Sequence, residues 1–133
     1  MSLIFFSCGE YQKVLKSDDF NYKYTKAVSY YDKADFNRAL PLFSELTTVL
    51  MGTSKMEEVG YYYAYCHYSL GEYLMAAYLF EVYAQTYPNG KHTEECQYMS
   101  AYCYYLLSPI YKLDSKNTYK AINHLQLFTN LYP

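Results

Sequence analysis

The sequence contains no tryptophan, only four prolines and five glycines, and no excess of basic residues. Its 11 Lys and Arg residues against 13 Asp and Glu residues give a formal charge of -2. The chain therefore lacks the positive surface that binding to a nucleic-acid backbone requires. Because Gly and Pro are scarce and β-branched runs are few, the periodic stretches favour helices over strands. The composition predicts an all-α protein and excludes nucleic acid from its expected partners.

Tyrosine is the residue that the sequence has in excess, with 21 copies among 133 residues. A tyrosine side chain combines an apolar ring with a polar tip, so it suits half-buried positions at interfaces and along grooves. The placement of the tyrosines is therefore the main guide to function.

The chain repeats itself with a period of 37 residues. Tyr24, Tyr61 and Tyr98 begin three matching segments, and Ala39 and Ala76 match in the same register. The third segment contains an insertion around residues 108–117, whose Pro and Asp-Ser-Lys-Asn residues suit a loop. Three sequential copies of one small unit indicate a repeat architecture.

Local signals divide the second unit into two helices. Ser54 and Glu57 have the spacing of a capping box at the start of a helix. Gly71 provides the left-handed residue that ends this helix. Glu72 places a negative charge at the start of the second helix, and Pro88 ends it by removing a backbone donor. The sequence therefore predicts a pair of helices in each unit.

Small and aromatic residues of the second unit match the tetratricopeptide pattern in their spacing. They are Ala64, Tyr68, Gly71, Tyr73, Ala76, Phe80 and Pro88. The unit is longer than the tetratricopeptide repeat of about 34 residues, and Ala34 and Met51 stand where the first unit would usually have glycine and proline. The resemblance implies a tetratricopeptide solenoid over residues 20–133, with about three repeats at 20–53, 54–90 and 91–133.

The same resemblance places the first helix of each pair along the concave surface, with exposed positions at i, i+4 and i+7. Eight of these nine positions are tyrosine, and the ninth is Val28. We call the eight the tyrosine ladder: Tyr24, Tyr31, Tyr61, Tyr65, Tyr68, Tyr98, Tyr102 and Tyr105.

A row of rings and hydroxyls suits the binding of an extended peptide, with Glu58 and Glu95 as candidate polar contacts. The alternative is that the aromatic stripe is simply core. A second face, which includes Ala27, Ala64 and Ala101, is available for burial and argues against that alternative.

The titratable residues do not form a pattern that predicts catalysis. His67, His92 and His124 are far apart in the sequence and have no neighbours that suggest a proton relay. We expect His67 to be a packed, hydrogen-bonded ring. His92, Cys96 and Cys103 could share one helical face but lack a ligand from a second element. We therefore predict no enzyme activity, cofactor, metal site or small-molecule substrate.

Residues 1–19 are interpreted as the end of a lipoprotein signal followed by a linker. Apolar residues precede Ser7-Cys8-Gly9, as in bacterial lipoproteins, where the cysteine becomes the acylated first residue of the mature protein. The stretch is short and has no basic front, so we expect most of the signal to be missing from this sequence. The alternative is an apolar start that frays. No other segment is expected to span a bilayer.

A cysteine of this kind, tetratricopeptide units, a Tyr87-Pro88 stop and a long loop before Ala121 together resemble the BamD (ComL/YfiO-like) family of outer-membrane assembly lipoproteins. The resemblance extends over the chain but matches only the amino-terminal part of the family's architecture. It implies a non-catalytic periplasmic subunit of the β-barrel assembly machine, anchored to the outer membrane by lipid on Cys8. Its implied partners are unfolded outer-membrane proteins and a BamA-like subunit. The alternatives are a periplasmic scaffold of the Tol-Pal type and a generic peptide-binding adaptor.

Overall fold

The structure is a computed structural model that describes residues 5–108 and 116–133, with side chains from residue 9 onward. Within these ranges the chain forms seven α-helices and no strand. The helices are α1 (Phe5–Lys16), α2 (Phe20–Asp32), α3 (Phe36–Val49), α4 (Lys55–Ser69), α5 (Tyr73–Thr86), α6 (Thr93–Leu107) and α7 (Lys116–Leu131). This architecture confirms the all-α prediction. Residues 109–115 of the predicted loop around Pro109 lie outside the described ranges.

The helices after α1 form three successive hairpins, α2/α3, α4/α5 and α6/α7, and each helix packs mainly against its neighbours in the chain. Small residues allow the close approach: Ala39, Ala64 and Ala76 are all fully buried. The rings of Phe43 and Phe80, also fully buried, fill the space between the helices. The stacked hairpins form the tetratricopeptide solenoid that the repeats predicted.

Left-handed residues turn the chain inside the first two hairpins. Gly71 has φ 80°, as the sequence predicted, and Ala34 at the matching position of the first hairpin has φ 57°. Ala34 is therefore an L-residue in a conformation that glycine adopts at lower energy.

The capping box predicted at Ser54 and Glu57 is wrong. The backbone of Ser54 is already helical, at φ -61° and ψ -24°, and its side chain makes no capping hydrogen bond. The Glu57 carboxylate instead accepts hydrogen bonds from the Tyr83 hydroxyl at 2.8 Å and from the Lys91 backbone N–H at 3.0 Å. Both partners belong to the chain that follows the helix, so local spacing could not reveal them.

Helix α1 packs on the first hairpin, in the range 1–19 that was predicted to be the end of a lipoprotein signal followed by a linker. Val14 is fully buried, and the Tyr11 hydroxyl donates to the Arg38 carbonyl at 3.1 Å. The buried Lys23 ammonium donates to the Leu15 carbonyl at 3.1 Å and to Glu45 at 2.7 Å. These contacts tie α1, α2 and α3 together. None of the described helices has both the length and the apolar character needed to cross a membrane.

Candidate peptide-binding face

The tyrosine ladder lies on α2, α4 and α6, and none of its eight side chains is buried. Tyr98 and Tyr105 on α6 are 45% and 55% exposed. The other six rings are half-buried. The opposite face of the same helices is closed, since Ala27, Ala64 and Ala101 are fully buried.

Ring contacts join the ladder positions of α2 and α4. The Tyr31 ring centroid lies 4.8 Å from that of Tyr62, which in turn lies 5.7 Å from Tyr61. Tyr61 contacts Tyr65 at 4.9 Å, and Tyr65 contacts Tyr68 at 6.2 Å, both edge to face. Tyr62, which is not one of the eight predicted ladder positions, bridges the two helices from a position next to Tyr61.

The same chain of contacts continues onto α6. Tyr68 lies 6.5 Å from Tyr102, and Tyr102 stacks against Tyr98 at 6.0 Å and against Tyr105 at 6.1 Å. Tyr98 also contacts Phe128 of α7 at 5.8 Å. The rings from Tyr31 to Tyr105 therefore form one connected aromatic surface across three helices.

Tyr24 is the ladder position that this surface does not include. In the described part of the chain it contacts no other aromatic ring, and the Lys55 ammonium lies 5.7 Å from its ring centroid. Partial burial and a hydrogen bond with Glu58 raise the pKa of the Tyr24 hydroxyl.

The hydroxyls of Tyr61 and Tyr65 share one acceptor within the protein. The Tyr61 hydroxyl donates to Glu95 Oε1 at 3.1 Å, and the Tyr65 hydroxyl donates to the same oxygen. Burial and the Glu95 carboxylate raise the pKa of both phenols. Glu95 was predicted as a polar contact for a peptide, and in this structure one of its carboxylate oxygens accepts hydrogen bonds from two ladder tyrosines.

His92 covers one side of the ladder. Its ring stacks on Tyr61 with centroids 4.0 Å apart, and its Nδ1 lies 3.6 Å from Glu95 Oε2. The described residues contain no group of three His, Cys, Asp or Glu that could hold a metal ion. His67 is packed as expected, 8% exposed and hydrogen-bonded to Glu72.

The larger clefts of the described structure lie away from the ladder. One of about 510 Å³ is lined by Met51, Gly60 and Val82, among others. Beside the ladder is an open cleft of about 360 Å³, bordered in part by Tyr98 and Phe128. The ladder is thus an open aromatic surface, suited to an extended chain more than to an enclosed small molecule.

Comparison with protein-family models gives a match over most of the chain. The family model described as YfiO, outer membrane lipoprotein, matches residues 16–133. The matched range contains every ladder position and begins after Cys8. Comparison with curated proteins gives no match.

Proposed function

The chain belongs to the YfiO family of outer membrane lipoproteins, and from this premise we propose that it is a non-catalytic subunit of the β-barrel assembly machine. In this proposal it faces the periplasm and is anchored to the outer membrane by lipid on Cys8. It binds unfolded segments of outer-membrane proteins and a BamA-like subunit.

The connected aromatic surface from Tyr31 to Tyr105 is the observation that supports binding of an extended segment. Aromatic rings provide a large contact area and lose little conformational entropy on binding. The side chains best placed for a client lie on α6, where Tyr98 and Tyr105 are the most exposed of the ladder. Aromatic residues of an outer-membrane protein segment would pack between these rings.

Client polar groups also have donors on this part of the surface. Within the described residues, the hydroxyls of Tyr68, Tyr98, Tyr102 and Tyr105 make no side-chain hydrogen bond, in contrast to those of Tyr61 and Tyr65. An extended peptide backbone has unpaired carbonyls that such hydroxyls can serve. We therefore place the client on the α6 half of the ladder.

The test is the affinity of a synthetic peptide with the carboxyl-terminal sequence of an outer-membrane protein, ending in an aromatic residue. The double variant Tyr98→Ala, Tyr102→Ala should weaken binding about tenfold or more, because aromatic residues at the centre of an interface dominate its binding energy. Isothermal titration calorimetry measures the affinity, and circular dichroism checks that helicity is kept.

The matched control is Tyr78→Ala with Tyr119→Ala. These tyrosines are 58% and 64% exposed but belong to α5 and α7, outside the ladder. The control should bind the peptide with the affinity of the unaltered protein. Equal affinities for all three proteins would show that the ladder is not the client site.

A further inference from the structure

We infer that Glu57 and Glu95 form a reciprocal clasp between α4 and α6 that sets the spacing of the ladder tyrosines. Glu95 of α6 binds two tyrosines of α4, and Glu57 of α4 binds Tyr83 of α5 and the Lys91 N–H in the turn that leads into α6. As an account of client binding, this inference rests on the function proposed above. Both carboxylates act through other residues, so they are positioning residues.

The first half of the clasp runs from α6 back to α4. Glu95, in the first turn of α6, accepts from the hydroxyls of Tyr61 and Tyr65 through the same oxygen. These two tyrosines are one helical turn apart on α4. Hydrogen bonds to an ionised carboxylate are stronger than bonds between neutral groups, so one side chain holds two ladder rings against α6.

The second half runs from α4 forward to the start of α6. Glu57, in the first turn of α4, accepts from the Lys91 N–H at 3.0 Å and from the Tyr83 hydroxyl at 2.8 Å. The Tyr83 oxygen accepts in turn from the His92 N–H at 3.4 Å. In the turn that leads into α6, the carboxylate therefore binds the Lys91 N–H directly and the His92 N–H through the Tyr83 hydroxyl.

The turn between α5 and α6 is closed tightly around the Glu57 carboxylate. A Cβ atom at Gly90 would lie 2.6 Å from Glu57 Oε1 and 2.9 Å from Tyr87 Cβ, so a side chain at this position would displace the carboxylate. His92, just after this turn, stacks on Tyr61 and faces Glu95. His92 thus takes part in both halves of the clasp: its backbone N–H donates to Tyr83, and its side chain contacts Tyr61 and Glu95.

The 37-residue period shows which part of the clasp is repeated. Glu58 and Tyr24 occupy the positions of Glu95 and Tyr61 one unit earlier, and the Glu58 carboxylate lies close enough to help raise the pKa of the Tyr24 hydroxyl. Val28 stands where the second unit has Tyr65, so this junction has one hydroxyl instead of two. Phe20 occupies the position of Glu57. The reciprocal arrangement therefore belongs to the junction between the second and third hairpins.

This junction is where the ladder passes from α4 to α6. The rings of Tyr68 and Tyr102 approach to 6.5 Å there, one turn from Tyr65 along α4 and two turns from Glu95 along α6. If α6 shifts along α4, the rings that face a client separate. The clasp therefore fixes the distance between client contacts without touching the client.

The experiment compares Glu95→Ala with Glu95→Gln in the peptide-binding assay. Because the Gln amide oxygen can still accept from both tyrosines, Glu95→Gln should keep the affinity within about twofold, whereas Glu95→Ala should weaken it about fivefold. The pair Tyr61→Phe, Tyr65→Phe should weaken binding as much as Glu95→Ala. Combining all three changes should add no further loss, since they remove the same interaction.

Glu94→Ala is the matched control, because it removes a negative charge from the same first turn of α6. It should leave the affinity unchanged. A melting temperature lowered in Glu95→Ala together with an unchanged affinity would overturn the positioning role and leave only a structural one.

A second readout separates this inference from the proposed function. Nuclear Overhauser contacts between the Tyr68 and Tyr102 rings should be present in the unaltered protein, Glu95→Gln and Glu94→Ala, and be lost in Glu95→Ala. If no protein binds the peptide, the proposed function fails, and these contacts still test the clasp. Contacts that persist in Glu95→Ala would overturn it.

Discussion

The three cysteines among the residues with described side chains are packing residues at the centre of the hairpins. Cys66, Cys96 and Cys103 are fully buried and unpaired. Burial raises the pKa of each thiol to about 12, because a thiolate would lose its hydration in the apolar interior. At neutral pH these thiols stay protonated and are poor nucleophiles.

This burial predicts a loss of stability at alkaline pH. The unfolded chain releases its thiol protons as pH passes the ordinary value of 9.0, whereas the native state holds them to about 12. The unfolded state then binds fewer protons, so the free energy of unfolding falls as pH rises from 9 toward 12. Tyr31, whose pKa burial raises to about 12, acts in the same direction above pH 10. Urea midpoints measured between pH 7.5 and 10.5 should decrease steadily above pH 9.

The control for this prediction replaces the three buried cysteines with alanine in a Cys8→Ser background, which should flatten the decrease between pH 9 and 10. In Cys8→Ser alone, a thiol reagent should label the native protein much more slowly than the urea-unfolded protein. Rapid labelling of the native protein would contradict the assigned burial.

Repeat spacing predicted which tyrosines share the ladder face, but it could not predict the partners of their hydroxyls. A helical period fixes the face on which a side chain lies, and Tyr61, Tyr65 and Tyr68 follow from it. The acceptor Glu95 lies 34 residues from Tyr61 and 30 residues from Tyr65. A contact over that separation depends on how two hairpins stack, which residue periodicity does not specify. The one sequence signal for this contact is that Glu58 and Glu95 are separated by the repeat period, which indicates that they occupy equivalent positions in two units.

At the scale of the helices, the turn between α2 and α3 contains a strained residue, whereas the turn between α4 and α5 has a glycine at the same position. Ala34 adopts φ 57°, and Gly71 adopts φ 80° at the equivalent place. A left-handed conformation brings the Cβ of an L-residue close to the carbonyl oxygen. Local backbone hydrogen bonds at the end of α2 hold this conformation, since the Ala34 and Asp35 N–H groups donate to the Tyr31 and Tyr30 carbonyls, at 2.9 Å each.

Replacing Ala34 with glycine should therefore stabilise the protein. Relief of the left-handed strain exceeds the added entropy of an unfolded glycine, for a net gain of roughly 0.5–1 kcal/mol. The melting temperature should rise by a few degrees in differential scanning calorimetry. Gly71→Ala is the reciprocal change and should lower the melting temperature. A decrease in both variants would show that Ala34 has a packing role that outweighs its strain.

The number and pairing of the helices from α2 onward followed from the sequence because periodicity, glycines and the Tyr-Pro stop agreed with one another. The packing of α1 against the first hairpin could not be predicted from the sequence. Its apolar residues are few, and the same residues fit the end of a signal segment. Val14 can be recognised as core only once α2 and α3 are in place against it.

For the whole molecule, the most informative surface is the outer face of α7. Ile122 and Leu125 are 45% and 37% exposed. When Ala121 is aligned with Ala76 to allow for the insertion, they match Ala77 and Phe80 of α5, which are fully buried. The Ser100 hydroxyl even donates to the Ala77 carbonyl at 2.9 Å across the junction between α5 and α6. The exposed face of α7 therefore corresponds to the face of α5 against which the following hairpin packs.

An apolar face shaped to receive a helix should make the 133-residue chain self-associate, because burying it against a second copy removes the same kind of surface from water. The sedimentation coefficient should increase with protein concentration. Ile122→Lys with Leu125→Glu should abolish the increase while leaving the helicity intact, since both side chains already contact solvent. Met75→Lys with Tyr78→Glu changes a comparably exposed pair on α5, 47% and 58% exposed, and should leave the association unchanged. If this α5 pair abolishes association and the α7 pair does not, the copies meet through α5, and the face of α7 is stable in water without a partner.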